Sequence, residues 1–354
     1  MRILHLAGSE SQGGAAQAAR TIQALVGGDL VQAPRSKLGE GYRCIAGYYD
    51  PFMARRLRKL AAPYDVVHLH RFGEWGTAAL HAGKPTVYSA YDYWALGPCQ
   101  NLYPYPCKWD CVGCYQPQGR SLPRWAKWPL LGRRKRLRRH LRRLDVMVVL
   151  SQDAAFRFEG LGRGPDRIHI IPLPVFIEPV DVPRKPDQVL YLGWLSPNKG
   201  ADVVLRAWPK VREQWPRAVL ILAGPQPNEA YARQCALLAG AGISFRGEVS
   251  RPEAVRLLCE SAVVVVPEAW PNPQPLVLCE ALAVGTPVVA SAIGGIPEHG
   301  GNETHYVYHN DPRDWAEKIG YALVRRILSL PRRLDPAQTK AQLEEVYQCV
   351  SHLP

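Results

Sequence analysis

The chain has 354 residues, which is long enough for two domains with separate cores. No apolar run approaches the roughly 18 residues of a membrane span, and the first residues turn polar at Ser9, which argues against membrane spanning and secretion. The formal charge of +13 implies an anionic partner such as nucleic acid, anionic lipid or a phosphorylated small molecule. Nine cysteines, an odd number, indicate a reducing compartment and predict a cytoplasmic protein.

The chain begins with a strand, a glycine-containing loop and a helix, predicted at residues 2–7, 8–14 and 15–26. Gly13 and Gly14 lead into the helix, so a ligand can approach amides that point outward. A plain tight turn explains the same two glycines equally well.

Two short apolar strands follow at residues 65–70 and 86–90, with a helical region predicted at 77–83. This alternation predicts a parallel sheet. His68, His70 and Arg71 fall near the carboxyl end of a strand, where open α/β sheets bind ligands. A buried histidine with satisfied hydrogen bonds is the other interpretation.

A loop rich in cysteine follows the sequence Tyr91-Asp92-Tyr93-Trp94. Its spacing, which ends in Cys-x-x-Cys, is typical of a structural zinc site without an open coordination position. Reduced thiols or disulfides remain alternatives. The four cysteines are Cys99, Cys107, Cys111 and Cys114.

A basic, largely helical segment is predicted over residues 123–144, with most of its charge in residues 133–143. Trp125 and Trp128 lie among many arginines, a pattern that suits the surface of an anionic membrane. Nucleic acid is the rival partner, and a solvated helix with one packed apolar stripe is the third interpretation.

The first domain is expected to span residues 1–176, with further strands at 145–150 and 168–171. Five prolines between residues 172 and 186 indicate an extended linker, and residues 177–187 are assigned to it. The second domain, residues 188–330, repeats the architecture. Its predicted strands are 189–193, 219–223 and 243–245, and its helices are 201–215 and 228–240.

The stretch of residues 267–291 lies between two buried strands, 262–266 and 287–290, and contains one short helix. Pro275 suits the first turn of this helix and Gly285 its end. The free amides of Leu276 and Val277 favour a phosphate. Glu280 is a carboxylate on an otherwise apolar helix and needs a partner.

Four motifs in this order resemble those of retaining glycosyltransferases of family 4, and the resemblance covers nearly the whole chain. The glycines at residues 13–14 and the Tyr91-Asp92 loop further resemble a subgroup that builds bacterial polysaccharides. The four motifs are Gly193-Trp-Leu-Ser-Pro-Asn-Lys199-Gly200, Phe245-Arg-Gly-Glu, the stretch with Glu280, and Gly294-Gly-Ile-Pro-Glu298.

The resemblance implies a GT-B fold, in which two Rossmann-like doubly wound α/β domains face a cleft and a terminal helix, residues 335–350, packs back on the first domain. The second domain would hold a UDP-, GDP- or ADP-sugar, and the first a glycan or lipid-linked acceptor. No catalytic metal is expected, and the protein would be cytoplasmic, in contact with the inner membrane face through residues 133–143. Alternatives are a catalytically silent GT-B protein that binds nucleotide sugar or glycan, and a nucleic-acid binder.

The resemblance also implies roles for individual residues. Lys199 would stabilise the diphosphate, Glu280 would accept the ribose hydroxyls, and Asp92 and Asn272 would complete the catalytic set. The remaining donor-binding residues would be Gly13, Gly14, Glu268, Leu276 and Val277, and the acceptor side would comprise His70, Arg71, Tyr91 and Asp92.

Three positions depart from the family pattern. Asn272 stands where the family usually has a glutamate that contacts the donor sugar, and Trp194 stands where an arginine often assists the lysine. Tyr91 replaces a histidine before Asp92. Glu268 is close enough in sequence to compensate for Asn272.

Overall fold

The computed structural model describes residues 1–9, 14–34, 47–97, 99, 101–103, 106, 123–159, 165–308, 310–325 and 334–352. The chain forms two compact units. Unit 1 comprises Met1–Leu102, Cys107–Pro174 and Leu334–Pro354, and unit 2 comprises Tyr103–Pro106 and Val175–Arg333.

Unit 1 contains a six-stranded parallel sheet in the order β2-β1-β3-β4-β5-β6. Four of its strands are buried along their whole length, because a parallel sheet covered by helices on both faces needs continuous apolar runs. The strands are β1 Ile3–Ala7, β2 Asp29–Gln32, β3 Val66–Leu69, β4 Thr86–Ala90, β5 Val146–Val149 and β6 Ile168–Ile170.

Helices cover this sheet, and the structure gives finer detail for two of the predicted helical regions. The region predicted as a helix at 77–83 is a 3₁₀ segment, Gly73–His81, with a kink at Gly76. The segment of residues 123–144, predicted to be largely helical, contains two α-helices separated by a 3₁₀ turn and by Gly132, whose φ is +67°. The helices are α1 Gly14–Val26, α2 Pro51–Ala61, α3 Arg124–Lys127, α4 Arg133–Leu141 and α5 Gln152–Glu159.

The last helix of the chain, α12 (Pro336–Ser351), belongs to unit 1. It packs on α1, β3 and β4. Its buried side is formed by Leu343, Val346, Tyr347 and Val350, none of which is more than 1% exposed. Unit 1 is therefore completed by a segment that follows the whole of unit 2 in sequence.

Unit 2 contains a second parallel sheet of six strands in the order β12-β11-β10-β7-β8-β9. β7 begins at Lys185, within the predicted linker, because its first residue pairs with Ser261 before the register shifts. The strands are β7 Lys185–Leu192, β8 Val219–Ala223, β9 Ile243–Gly247, β10 Ser261–Val266, β11 Val288–Ser291 and β12 Thr304–Val307.

The helices of unit 2 lie on both faces of this sheet, and each face has its own apolar core. The prediction of two doubly wound α/β units is thereby confirmed. Along the described ranges, no helix combines the length and the apolar character that crossing a bilayer requires. The helices are α6 Ala201–Gln214, α7 Glu229–Leu237, α8 Arg251–Glu260, α9 Leu276–Ala283, α10 Ile296–Gly300 and α11 Pro312–Arg325.

Candidate functional site

The loops that follow β7 and β10 flank the topological switch point of the unit 2 sheet. From β7 the chain proceeds to β8 and β9 on one side, and from β10 to β11 and β12 on the other. Open α/β sheets bind ligands at this place. The two loops are joined directly, because the Ala269 amide donates to the Asn198 carbonyl at 2.9 Å.

Gly200 allows this close approach of the two loops. Its φ is +66°, and a Cβ atom at this position would lie 1.9 Å from the carbonyl oxygen of Pro267. Only glycine fits both conditions. The preceding residue, Lys199, is thereby held beside the start of the β10 loop.

Glu268 is the centre of a buried polar group at this junction. Its side chain is 4% exposed, and Oε1 lies 2.5 Å from Lys199 Nζ. The indole N–H of Trp270 donates to Oε2, and Asn272 Nδ2 donates to Oε1 at 3.1 Å. The carboxylate thus accepts from three donors, which satisfies a buried charge.

The arrangement explains why an amide, and not an acid, occupies position 272. Asn272 Oδ1 accepts from the Gln274 amide at 3.2 Å while Nδ2 donates to Glu268, so both ends of the amide are used. A carboxylate here would face Glu268 with like charge. The structure therefore brings together three of the predicted site residues, Lys199, Glu268 and Asn272.

The loop of residues 294–295 holds Asn272 in place from the other side. A Cβ atom on Gly294, whose φ is +62°, would lie 2.8 Å from the backbone nitrogen of Asn272. The Gly295 amide donates to the Asn272 carbonyl at 2.9 Å. This glycine pair is one of the motifs on which the family resemblance rests.

Helix α9 begins at Leu276, directly after this loop, as the sequence predicts. Pro275 occupies its N-cap and offers no side-chain acceptor for the first amides. The amides of Leu276 and Val277 therefore remain available to an anion at the helix start.

Glu280 lies in α9 and has a protein partner, Arg251, at 2.6 Å. Burial raises the pKa of Glu280, and the charge and hydrogen bond of Arg251 oppose this. Arg251 is about half exposed, so its guanidinium can move aside without being stranded in the core. The structure thus pairs the Glu280 carboxylate with Arg251, and contact of Glu280 with a ribose stays a prediction.

In unit 1, the corresponding switch point lies between β1 and β3. Gly14 opens α1 and is exposed, and Gly13 lies outside the described residues. Ser9 Oγ donates to Glu74 at 2.5 Å. A small pocket at this edge is lined by Ala7, Gly8, Ala15, Ala16, His70 and Arg71.

Three buried histidines, His5, His68 and His70, lie side by side behind this pocket. His5 and His68 are register partners on β1 and β3, and the ring centroids of His68 and His70 are 4.1 Å apart. Burial lowers the pKa of His5 to about 4 and lowers the pKa of the other two well below 6.5. All three imidazoles are therefore neutral near pH 7.

Hydrogen-bond partners fix the tautomers of His5 and His70. His5 Nε2 lies 2.9 Å from the Gly27 carbonyl, which only accepts, so Nε2 carries the proton and Nδ1 accepts. His70 Nε2, 2.9 Å from His5 Nδ1, must then donate. His70 Nδ1 is left as an acceptor for the Tyr91 hydroxyl at 2.7 Å.

The same reasoning extends the chain of hydrogen bonds to α12. Tyr91 also has a hydrogen bond with Ser89. Because the one hydroxyl proton of Tyr91 goes to His70, the Ser89 hydroxyl donates to Tyr91. His68 Nε2 then donates to Ser89 at 2.8 Å, and Tyr347 donates to His68 Nδ1 at 2.6 Å. We call this set, from Tyr347 to Gly27, the histidine chain.

The histidine chain does not offer an open metal site. Nitrogens of the three imidazoles lie within 4.8 Å of one another, but both nitrogens of every ring already have a protein partner. The structure thus supports the interpretation of His68 and His70 as satisfied core residues. His70 lines the pocket but has no ring nitrogen left for a ligand.

The remaining predicted residues of the first unit are placed as follows. Tyr91 points its hydroxyl into the histidine chain. Asp92 accepts the Trp94 amide at 2.8 Å, which fixes the turn after β4. Of the predicted zinc ligands Cys99, Cys107, Cys111 and Cys114, only the first lies within the described residues, so the zinc hypothesis stays a prediction.

Two family models match the chain. One, described as Glycosyl transferases group 1, matches residues 186–324, and the other, described as Glycosyltransferase Family 4, matches residues 12–178. Together with the paired Rossmann-like units, these matches define the class of the protein, a glycosyltransferase with the GT-B fold. The chain belongs to glycosyltransferase family 4, in agreement with the predicted resemblance.

Similar proteins include a D-inositol 3-phosphate glycosyltransferase of Mycolicibacterium smegmatis, 32% identical over 200 residues, or 53% of this chain and 40% of the relative. An uncharacterized glycosyltransferase of Methanocaldococcus jannaschii is 33% identical over 128 residues, or 35% of this chain and 32% of the relative. The chain thus spans about a third of the length of the first curated relatives it matches.

Solved structures resemble the whole chain in fold. An Anabaena protein, HepE, solved in complex with UDP and glucose, has a TM-score of 0.69 at 17% identity and covers 99% of this chain and 100% of its own. A glycosyltransferase from Rickettsia africae has a TM-score of 0.68 at 15% identity and covers 100% of this chain and 99% of its own.

Several residues of these sites were not predicted from the sequence. His5 gives a weak signal, a polar residue in an apolar strand, and Trp270 lies in the stretch of residues 267–291, where its residue type alone indicates no role. Ser89, Arg251 and Tyr347 gave none, because each reaches its partner only through the tertiary fold.

Proposed function

We propose that the protein is a retaining glycosyltransferase that moves a sugar from a nucleotide-diphosphate donor to a glycan or lipid-linked acceptor. The observation that carries this proposal is the pairing of Lys199 with buried Glu268 at the switch point of unit 2. A UDP-sugar is the first donor to test, because the HepE structures contain UDP or UDP-glucose.

In this proposal Lys199 carries the charge that develops on the departing diphosphate. The Lys199 side chain is 29% exposed while its countercharge is buried, so Lys199 can contact a ligand without losing Glu268. The amides of Leu276 and Val277 add the dipole of α9. Glu280 accepts the ribose hydroxyls when Arg251 swings aside.

Glu268 and Asn272 together contact the donor sugar in this proposal. Glu268 supplies the negative charge that position 272 lacks, and Asn272 orients it through the hydrogen bond at 3.1 Å. We assign Gly13 and Gly14 to donor binding. On the acceptor side we assign Arg71, Tyr91 and Asp92, with His70 as part of the pocket wall, and Asp92 is also assigned to catalysis. These assignments for unit 1 rest on the family resemblance.

The test is turnover of a panel of nucleotide sugars, UDP-glucose first, by purified protein and by Lys199→Ala and Glu268→Gln variants. Loss of one preorganised charge partner should lower kcat roughly 100-fold. Lys210→Ala, an exposed lysine of α6, is the matched control and should retain activity. Equal turnover by Lys199→Ala would refute the site, and UDP binding without transfer across the panel would favour the silent GT-B alternative.

We also propose that unit 1 contacts an anionic membrane surface. Trp125 and Trp128 are 79% and 68% exposed, and Leu131 is half exposed, immediately before the basic helix α4. Part of that helix is structural: Arg133 donates to the Trp94 carbonyl and the apolar stripe of α4 is buried. Packing among the described residues does not explain the exposure of the two tryptophans, which suit a lipid interface.

Vesicles with anionic lipid should retain the protein, and changing Arg134, Arg138 and Arg142 to Glu should release it. The matched control reverses three exposed charges of unit 2, Lys210, Arg217 and Arg233, and should remain bound. Equal retention of both variants would discard the membrane proposal. Steeply salt-dependent RNA binding, lost in the first variant alone, would favour the nucleic-acid alternative.

A further inference from the structure

A second cluster of histidines lies at the opposite edge of the unit 1 sheet. His81 ends the segment that leads into β4 at Thr86, and His140 lies near the end of α4, which leads into β5 at Val146. Both are therefore at the amino-terminal edge of these parallel strands. The pocket beside His70 is at the carboxyl edge, so the two places are separate.

Three elements bring this cluster together. His81 Nε2 lies 3.0 Å from His140 Nδ1, and the ring of Tyr49 packs on both, with centroids 4.5 and 5.9 Å away. This hydrogen bond uses one nitrogen of each ring. The other two, Nδ1 of His81 and Nε2 of His140, have no hydrogen-bond partner among the described residues. The pair thus presents unused polar atoms at the surface.

The surroundings of the pair are cationic. Arg58 of α2 donates from Nε to the His81 carbonyl at 3.0 Å. Burial lowers the pKa of His81 to about 4, assisted by Arg143, His140 and Arg58, and burial, Arg143 and Arg139 lower that of His140. The charged groups that act on the two imidazoles are thus all basic. We call these five residues the amino-edge cluster: Arg58, His81, Arg139, His140 and Arg143.

We propose that the amino-edge cluster binds a phosphate monoester or diphosphate group. Arg58 donates to the His81 carbonyl, and the charges of Arg139 and Arg143 act on the imidazoles. Guanidinium and imidazole donors thus lie near one another, which suits a compact dianion. An extended nucleic acid would need a longer basic groove with successive aromatic platforms, whereas this cluster is compact and contains one aromatic residue, Tyr49, beside the two histidines. This inference goes beyond the proposed glycosyl transfer and does not depend on it.

Binding of a dianion should be coupled to proton uptake. A nearby negative charge opposes the electrostatic effect of the arginines, so the pair takes up one proton: the hydrogen between His81 Nε2 and His140 Nδ1 stays in place, and both outer nitrogens then donate charge-assisted hydrogen bonds to the dianion. Affinity should therefore rise as the pH falls, by about tenfold between pH 7.5 and pH 5.5. Sulfate is the best probe, because it remains a dianion across this range.

The experiment titrates sulfate at both pH values and follows the histidine ring resonances by NMR. We expect the resonances of His81 and His140 to shift, with the tighter dissociation constant at pH 5.5. His81→Gln/His140→Gln should lose the pH dependence, and Arg139→Gln/Arg143→Gln, which changes only exposed side chains, should weaken binding at both pH values. His169→Gln/His352→Gln is the matched control.

Equal affinity at the two pH values, or unchanged sulfate binding in both cluster variants, would overturn the proposal. The donor-site variant Lys199→Ala should bind sulfate at the cluster as the parent does. If its histidine shifts disappear, the anion was bound at the donor site and the proposal is also wrong. A failure of glycosyl transfer would leave these titrations unaffected, so the two proposals are tested separately.

The phosphate group can come from a free compound or from a lipid headgroup. Vesicles with phosphatidic acid present a monoester and vesicles with phosphatidylglycerol a diester. Selective loss of phosphatidic acid binding in His81→Gln/His140→Gln would identify the lipid source. Unchanged vesicle binding with lost sulfate binding would identify a free phosphorylated compound.

Discussion

At the residue scale, the polar group around Glu268 requires a carboxylate at position 268 and an amide at position 272. Its other members are Lys199 and Trp270. Glu268 is buried and accepts from the other three side chains. A buried carboxylate with three donors is stable, whereas two carboxylates in contact repel. The identity of residue 272 is therefore set by its neighbour as much as by any ligand.

Asn272→Asp tests this dependence. The variant should be less stable than the parent by about 1–3 kcal/mol at pH 8, and this difference should shrink toward pH 5, where one of the two carboxyl groups takes up a proton. Urea unfolding at both pH values measures the effect. Asn228→Asp, at the N-cap of α7 where Asp serves as well as Asn, is the control, and equal stability of the two variants at pH 8 would contradict the argument.

The histidine chain predicts a pH dependence of folding. The folded-state pKa of His5, His68 and His70 lies below the ordinary value of 6.5. Stability is therefore fully present above pH 6.5 and is lost as the pH falls toward about 4, because the unfolded chain binds protons that the folded chain refuses. Each such histidine should contribute a slope of about 1.4 kcal/mol per pH unit.

His68→Gln isolates one step of this slope, since the amide keeps one donor and one acceptor. Between pH 6.5 and pH 5 its unfolding free energy should fall less steeply than that of the parent, by about 1.4 kcal/mol per unit. Replacing exposed His352 by Gln should leave the slope unchanged. A His68→Gln slope equal to that of the parent would mean that His68 is protonated in the folded state.

At the scale of elements, continuous apolar strands were predictable and short edge elements were not. β3, β4, β5 and β10 are runs of mostly apolar residues that are buried throughout. β2 has only four residues, none of them buried, and is a strand only because it pairs with β1. Local sequence cannot carry that information.

Helix α2 was missed for a different reason. Asp50 caps it by accepting the amides of Phe52 and Met53, and Pro51 stands at its first turn, so a start signal was present in the sequence. Its buried positions, Ala54, Leu57 and Ala61, are diluted by arginines and lysine. These positions have helical spacing, but they form too narrow an apolar stripe to predict a helix from the sequence.

In the candidate site, individual residues were predictable from motifs, whereas the contacts between them were not. Lys199 and Glu268 were predicted separately from motifs, and their contact joins residues that are 69 positions apart. That contact follows from β7 and β10 being neighbours in the sheet, which a motif does not state. Arg251 had no signal at all, because its role depends on α8 lying beside α9.

At the scale of the whole molecule, unit 1 is built from both ends of the chain. α12 follows all of unit 2 in sequence and fills the unit 1 core with Leu343, Val346, Tyr347 and Val350. Burying four such side chains contributes roughly 1.5–3 kcal/mol each, which is comparable to the whole stability of a typical domain, about 5–15 kcal/mol. Tyr347 also starts the histidine chain.

A chain that ends at Arg333 should therefore lose the structure of unit 1 and keep that of unit 2. Hydrogen exchange measured by mass spectrometry should show amide protection lost in β1, β3 and β4 and retained in β7 and β10. Tyr347→Phe, which removes the hydroxyl alone, should lower the protection of β3 and β4 without abolishing it. Tyr308→Phe, at a residue 78% exposed, should change nothing, and full protection of β3 in the shortened chain would show that unit 1 folds without α12.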